Sequence, residues 1–129
     1  MLDITKSIID YYKDKNLSVN EISKELDKAK LEVLENFLDN DKLYVKKRSG
    51  RIDIFNIDKV LKSVKNAARN KNIDLNTSDI SIIRSDLEKR IKQYSYKVIP
   101  TKEIKKDVEE ILLSEGYKRI HDSYSNYIK

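Results

Sequence analysis

One short segment combines the signals of a turn, two strands and a helix start: residues 45–60 read VKKRSGRIDIFNIDKV. Alternating apolar residues on both sides of Ser49-Gly50 are typical of a β-hairpin over residues 43–55. We expect Ser-Gly to form a two-residue turn, because glycine adopts a positive φ without steric cost. Asn56 is a favourable N-cap, so the segment predicts a hairpin that leads directly into a helix.

The polar side chains of this segment suit a nucleoside triphosphate. Lys47 and Arg48 at the hairpin tip can bind phosphate oxygens through charge-assisted hydrogen bonds. Asp53 and Asn56 can together accept from and donate to the edge of a purine. The set is completed by two apolar walls for a base and by a lysine one turn into the helix, which are Val45, Val60 and Lys59.

Each of these residues also has an interpretation without a ligand. Val45, Val60 and Phe55 would pack in the core of any hairpin that lies on a helix. Asn56 is equally well explained as a helix cap, and it can fill both roles. For Lys47, Arg48 and Lys59 the binding interpretation is favoured, because packing or helix capping gives no reason for the spacing of these three cations.

Toward the C-terminus, apolar residues recur at helical spacing with one interruption. Lys97-Val-Ile-Pro100 is predicted to be extended, because the residue before a proline is pushed out of the helical region. We expect Thr101 to cap the next helix, or to contact a ligand, and Gly116 to end that helix. The predicted helices are residues 57–70, a helix starting at Thr77-Ser78-Asp79, the helix after Thr101, and a last helix with the apolar stripe Tyr117, Ile120, Tyr124, Tyr127 and Ile128.

Toward the N-terminus, the sequence predicts three helices. The first covers residues 3–15, and Ser18 with Glu21 forms the capping-box pattern of a second, with Val19, Ile22 and Leu26 facing inward. A break near residues 27–30 is expected to lead to a third helix. This unit resembles a helix-turn-helix, and with the strand after it, the start of a winged-helix domain.

The charge is divided unevenly between the two parts of the chain. Residues 1–42 carry a net charge of −3, residues 43–129 carry +8, and the whole chain carries +5. A basic surface binds nucleic acid or phosphate, or is simply solvated. Two glutamates on the would-be recognition helix would repel a duplex, so either DNA binding is lost in this unit or a basic wing compensates. The outward residues of this helix are Lys28, Lys30, Glu32, Glu35 and Asn36.

The composition excludes several classes of site. The 129 residues include no Cys and one His, which excludes a cysteine-ligated zinc finger, an iron–sulfur cluster and a cysteine nucleophile. With only two glycines, Gly50 and Gly116, neither a Walker A nor a dinucleotide-binding loop can be written. Because no apolar run reaches about 18–20 residues and no signal-peptide pattern is present, we expect a soluble, cytoplasmic protein with no membrane association.

The central segment resembles the opening of the ATP cone, a regulatory nucleotide-binding domain of ribonucleotide reductase large subunits and of the repressor of their genes. The family's pattern of V-x-K-R-D/S-G, then F-N/D, then K-I is matched by Val45 through Val60. Ile99-Pro-Thr101-Lys-Glu103-Ile104 matches a later helix opening, and Gly116-Tyr117 precedes a tyrosine-rich last helix as in the family. The resemblance covers residues 43–129, whereas the repressor's zinc ribbon is absent.

The resemblance implies a role for each matched residue. Lys47, Arg48 and Ser49 would face the phosphates, and Asp53 and Asn56 would recognise adenine. Val45 and Val60 would form the walls around the base, and Lys59 and Thr101 would contact the sugar and the phosphates. Lys105 takes the place of a ribose-contacting histidine, and Lys129 takes the place of the basic residue that ends the last helix.

The resemblance also implies an architecture and a function. We expect an α+β, mostly helical protein, with a helix-turn-helix-like unit at 1–42 and a four-helix ATP cone capped by a three-stranded sheet at 43–129. The expected function is non-enzymatic: ATP or dATP, with Mg²⁺ as a candidate companion, binds as an allosteric effector that controls ribonucleotide reductase. The alternative is a nucleotide-responsive DNA-binding regulator of deoxyribonucleotide synthesis. A nucleotide-dependent homo-oligomer is expected to form through helix surfaces in residues 79–129 rather than through the acidic N-terminal unit, with the tyrosine stripe as the candidate interface; the alternative is that this stripe belongs to the core.

Overall fold

The computed structural model describes residues 1–127, with Tyr127 described by its backbone alone. The predictions for Ile128, Lys129 and the side chain of Tyr127 therefore lie outside the described residues. The elements in chain order are α1 (Asp3–Tyr12), α2 (Val19–Glu35), β1 (Tyr44–Lys46), β2 (Ile52–Ile54), α3 (Ile57–Arg69), α4 (Thr77–Lys92), β3 (Val98–Pro100), α5 (Thr101–Ser114) and α6 (Lys118–Tyr127).

The chain divides into two compact units, Met1–Asp39 and Asn40–Lys129. The division lies near the predicted boundary between residues 42 and 43, although the domain assignment itself stays a prediction. None of the described helices is long and apolar enough to span a membrane. The predicted fold class is confirmed, since the described residues are mostly helical with one small three-stranded sheet.

The N-terminal unit contains two helices rather than three. The predicted break near residues 27–30 is wrong, because α2 runs through it from Val19 to Glu35. This stretch contains neither glycine nor proline, so nothing in it interrupts a helix. Ser18 caps α2 as predicted, since the Glu21 backbone N–H donates to Ser18 Oγ at 3.1 Å. The Glu21 carboxylate does not complete the predicted capping box: its Oε1 accepts from Ser18 Oγ at 3.1 Å. Val19, predicted to face inward, is 82% exposed.

The sheet has the strand order β2-β1-β3, with β1 antiparallel to β2 and parallel to β3. The predicted hairpin is confirmed, but its loop has three residues, Arg48 to Gly50, instead of two. The Lys47 N–H donates to the Arg51 carbonyl at 2.8 Å, and the Gly50 N–H donates back to the Lys47 carbonyl at 2.8 Å. Gly50, the last residue of the loop, has a φ of 91°, and a positive φ is usual at this position of a three-residue hairpin loop.

Caps explain where the helices of the second unit begin and end. Asn56 Oδ1 accepts from the Asp58 N–H at 3.0 Å, which confirms Asn56 as the cap of α3. Helix α4 is capped by Asn76, which forms a reciprocal capping box with Asp79. The expectation that Thr101 caps α5 is wrong: Pro100 holds the N-cap position without a side-chain hydrogen bond, and Thr101 is the first helical residue.

Helices α3 to α6 share one buried core, with the sheet and the start of α5 forming a smaller cluster beside it. The end of α5 is as predicted: Gly116 has a φ of 82°, and the Tyr117 N–H donates to the Leu112 carbonyl at 2.8 Å. The core of the four helices consists of Leu61, Val64, Ala67, Ala68, Ile83, Leu87, Val108, Ile111, Leu112, Ile120 and Tyr124.

The stripe of α6 does not form an association surface in its described part. Ile120 is 1% exposed and Tyr124 is 3% exposed, so both side chains belong to the core of the same chain. Tyr117 is half-buried, and its hydroxyl donates to Asp79 Oδ1 at 2.6 Å. The interpretation of Ile120 and Tyr124 as an oligomer interface is wrong, because a side chain that fills its own core cannot also contact a second copy; for Tyr117 it stays a prediction.

Candidate functional site

A cavity of about 670 Å³ lies between the hairpin, α3, α5 and α6. Its volume falls in the range of about 300–1,000 Å³ that small-molecule sites occupy. It combines an apolar wall with cationic and hydrogen-bonding groups. The lining residues are Val45, Lys47, Arg51, Asp53, Ile54, Phe55, Asn56, Lys59, Val60, Ser63, Thr101, Ile104, Lys105 and Tyr124.

The strand period places the hairpin side chains of the cavity on one face. Val45 pairs with Asp53 across the two strands, and Lys47 lies opposite Arg51 beyond the last strand pair. Side chains two residues apart on a strand share a face, so all four point to the same side of the hairpin. The hairpin thus contributes one apolar side chain, two cations and one carboxylate.

Helix α3 supplies the second wall through residues at helical spacing. Asn56 caps the helix, and Lys59, Val60 and Ser63 follow at intervals that bring them to the same side. Lys59 forms no ion pair with the residues that the structure describes. The third wall comes from the first turn of α5, with Thr101 and Lys105.

Most of the residues predicted to form the site line this one cavity, although they come from two separate stretches of the chain, residues 45–60 and 101–105. Two residues of the hairpin tip do not. Arg48 lines an adjoining cavity, and Ser49 lines neither. The predicted residues that do line the cavity are Val45, Lys47, Asp53, Asn56, Lys59, Val60, Thr101 and Lys105.

Asp53 holds two cations at the hairpin side of the cavity. Lys47 Nζ lies 3.1 Å from Asp53 Oδ2, and Arg51 Nη2 lies 2.8 Å from the same oxygen. Hydrogen bonds, first from Lys47 and then from Arg51, lower the pKa of the Asp53 carboxyl below its ordinary value. The carboxylate therefore stays ionised at neutral pH, and the group of three carries a net positive charge.

Sequence reasoning missed Arg51, although a signal for it was present. Arg51 precedes Asp53 by two residues, which places both side chains on one face of a strand. It also missed Ser63, one turn after Lys59 on α3, and Tyr124, which is remote in sequence.

The adjoining cavity, of about 580 Å³, is strongly basic. Lys47, Thr101 and Lys105 line both cavities, so the two spaces meet along these residues. Among the described residues, no carboxylate lines it. Such a surface attracts a polyanion such as a phosphate chain. Its lining consists of Lys46, Lys47, Arg48, Pro100, Thr101, Lys102 and Lys105.

Within residues 1–127, no group of histidine, cysteine and carboxylate side chains could hold a metal ion by itself. The arrangement is that of a binding site for an anionic ligand with an apolar part, built on a helical domain with a small sheet. The model of the ATP cone domain family matches residues 43–129, and the chain belongs to this family. The family indicates a nucleotide-binding, regulatory function for residues 43–129. The search of curated proteins finds no match to the chain.

Proposed function

We propose that the cavity binds ATP or dATP as a reversible allosteric signal. The observation that carries this proposal is that Lys47 and Arg51, both paired with Asp53, line the same cavity as Lys59 of α3. Three cations and one carboxylate around a space of nucleotide size favour an anionic ligand. Asn56, at the junction of the hairpin and α3, adds a group that can form hydrogen bonds with a base.

The base and the phosphates are proposed to occupy different parts of the two cavities. The base lies against Val45 and Val60, with Asp53 and Asn56 at its edge. The phosphates extend past Lys47 toward the adjoining basic cavity. The proposed contacts of the sugar and phosphates are Arg48, Lys59, Thr101 and Lys105, and Ser49 lies at the hairpin tip near them.

The free amide nitrogen of Asn56 supports its role as a base contact. Its Oδ1 already accepts the Asp58 N–H as the cap of α3. The Nδ2 group, a donor with two protons, has no partner among the described residues and is available to a base nitrogen. Mg²⁺ would arrive with the triphosphate, because the described side chains do not form a metal site of their own.

Ribonucleotide reductase is the partner that we propose for this signal. The proposal rests on the family, because the resemblance to ATP cones implies a regulatory domain of that enzyme. A second candidate is a nucleotide-responsive DNA-binding regulator, which the carboxylate-free basic cavity favours. A retardation assay on random and promoter DNA, with and without dATP, separates the two.

Adenine nucleotides are expected to raise the melting temperature of the chain. A ligand at a hundredfold excess over its dissociation constant stabilises the folded state by about 2.7 kcal/mol. Thermal melts with ATP, dATP, GTP and CTP measure the stabilisation, and calorimetric titration measures the affinity for each nucleotide. Equal shifts with all four nucleotides would contradict recognition of the base by Asp53 and Asn56. No shift with millimolar ATP or dATP would contradict the proposed function.

Two substitutions at Asn56 separate its two roles. Serine is also a good N-cap, so Asn56→Ser is expected to keep the melting temperature while it weakens ATP binding. Asn56→Ala removes the cap as well, and we expect it to cost about 1 kcal/mol of stability in addition to the loss of affinity. Wild-type affinity in Asn56→Ser, measured by titration calorimetry, would leave Asn56 as a cap alone.

A further inference from the structure

Tyr124 is a buried polar side chain of α6 that lines the cavity and that none of the roles above uses. Its ring belongs to the core of helices α3 to α6, and only 3% of the residue is exposed. Burial, with a smaller effect from Glu109, raises the pKa of its hydroxyl to about 12. The hydroxyl is therefore protonated at neutral pH and can donate a hydrogen bond.

This hydroxyl has no hydrogen-bond partner within residues 1–127. Ser125 Oγ is a side-chain oxygen that is both unpartnered and fully enclosed, whereas the Tyr124 oxygen is not enclosed. A residue that is almost wholly buried yet keeps an accessible oxygen must open onto a neighbouring space. The space that Tyr124 borders is the cavity.

Two other tyrosines of the same unit show the usual solution. The Tyr117 hydroxyl donates to Asp79 Oδ1 at 2.6 Å, and the Tyr94 hydroxyl donates to Asp107 Oδ2. A buried tyrosine normally finds such a partner, because an unpaired buried hydroxyl is costly. The Tyr124 hydroxyl has no such partner within residues 1–127, and a ligand bound in the cavity would supply one.

The cavity wall contributed by α5 contains a cation. Tyr124 belongs to the same core cluster as Val108 and Ile111 of α5, and Lys105 of this helix lines the same cavity as Tyr124. A donor hydroxyl and a lysine that line one cavity both suit the oxygen acceptors of an anionic ligand.

We propose that the Tyr124 hydroxyl is a binding group of this cavity, which donates a hydrogen bond to an acceptor oxygen of the bound adenine nucleotide. The inference rests on the proposed function, since it names a further contact of the same ligand. It assigns a role to α6, which otherwise contributes only packing. The core position of the ring holds the hydroxyl in place before the ligand arrives, so little side-chain entropy is lost on binding.

The test is calorimetric titration of the full chain and of Tyr124→Phe with ATP and with dATP. Phenylalanine keeps the ring and removes the hydroxyl alone. We expect a loss of affinity of about three- to tenfold, the usual effect of one neutral hydrogen bond. The melting temperature without nucleotide should stay the same or rise, because no partner within the chain is lost. Equal losses with both nucleotides indicate an oxygen other than the 2′-hydroxyl, and a loss with ATP alone indicates that hydroxyl.

Tyr117→Phe is the matched control. It removes a hydroxyl that is bonded to Asp79 and that does not line the cavity, so it should lower the melting temperature and leave the affinity unchanged. Wild-type affinity in Tyr124→Phe would overturn the inference while the proposed function stands. Affinity and melting temperature that fall together in Tyr124→Phe, as in a packing defect, would overturn it too. Failure of the wild-type chain to bind ATP or dATP would overturn the proposed function itself.

Discussion

Replacing Leu112 with alanine is expected to lower the free energy of unfolding by about 2–5 kcal/mol, the usual cost of a large-to-small change in a core. Leu112 is 0% exposed and lies in the cluster shared by α3 to α6. The substitution removes apolar area and leaves a cavity that its neighbours only partly fill. Chemical denaturation followed by circular dichroism measures the change.

Leu113→Ala provides the control from the adjacent residue. Leu113 is 49% exposed, and the helix turns it away from the core that Leu112 enters. Its truncation should change stability far less, because little buried area is lost. Similar losses in the two variants would contradict the position of this core, and with it the orientation of α5 that brings Thr101 and Lys105 to the cavity.

Lys47→Ala is expected to weaken the binding of ATP at least tenfold without unfolding the chain. A charge-assisted hydrogen bond contributes about 1.5–3 kcal/mol to binding, and Lys47 lines both the main and the adjoining cavity. The substitution also leaves Asp53 with Arg51 as its remaining cation, which reduces the positive charge at the hairpin. Titration calorimetry at two salt concentrations measures the loss.

Lys62→Ala tests whether such a loss is only a general effect of charge. Lys62 is an exposed residue of α3 that lines neither cavity, so its truncation removes the same charge from the same unit. We expect it to change the affinity little, and the change to vanish at higher salt. Equal losses in Lys47→Ala and Lys62→Ala would contradict a phosphate contact by Lys47.

The local features of the chain were predictable from its sequence because their causes are local. Asn56 and Gly116 begin and end helices through bonds with residues a few positions away, and both were predicted in place. The errors arose where two local solutions compete. Gly50 suits a two-residue or a three-residue loop, and the strand pairing of Lys47 with Arg51 selects the longer one.

At the start of α5, two local solutions also compete, because either Pro100 or Thr101 can take the N-cap position. Threonine is a good cap, but Pro100 already has an extended backbone as the last residue of β3 and takes the cap position. Thr101 then becomes the first helical residue, which turns its side chain toward the cavity. The pairing of β3 with β1 thus determines that Thr101 is the first residue of α5 and not its N-cap, which the capping preference of threonine alone does not determine.

For residues 43–129, the sequence by itself determined the helices and strands, the hairpin with its cations and the family, because strand alternation, helix caps and motif spacing depend on neighbours along the chain. Only the tertiary structure decided that Tyr124 belongs to the core and also to the cavity wall. The same packing brings Thr101 and Lys105 opposite a hairpin about fifty residues away. The physical reason is that a cavity wall is set by the packing of helices against one another, and the residues that meet there share no signal in the sequence.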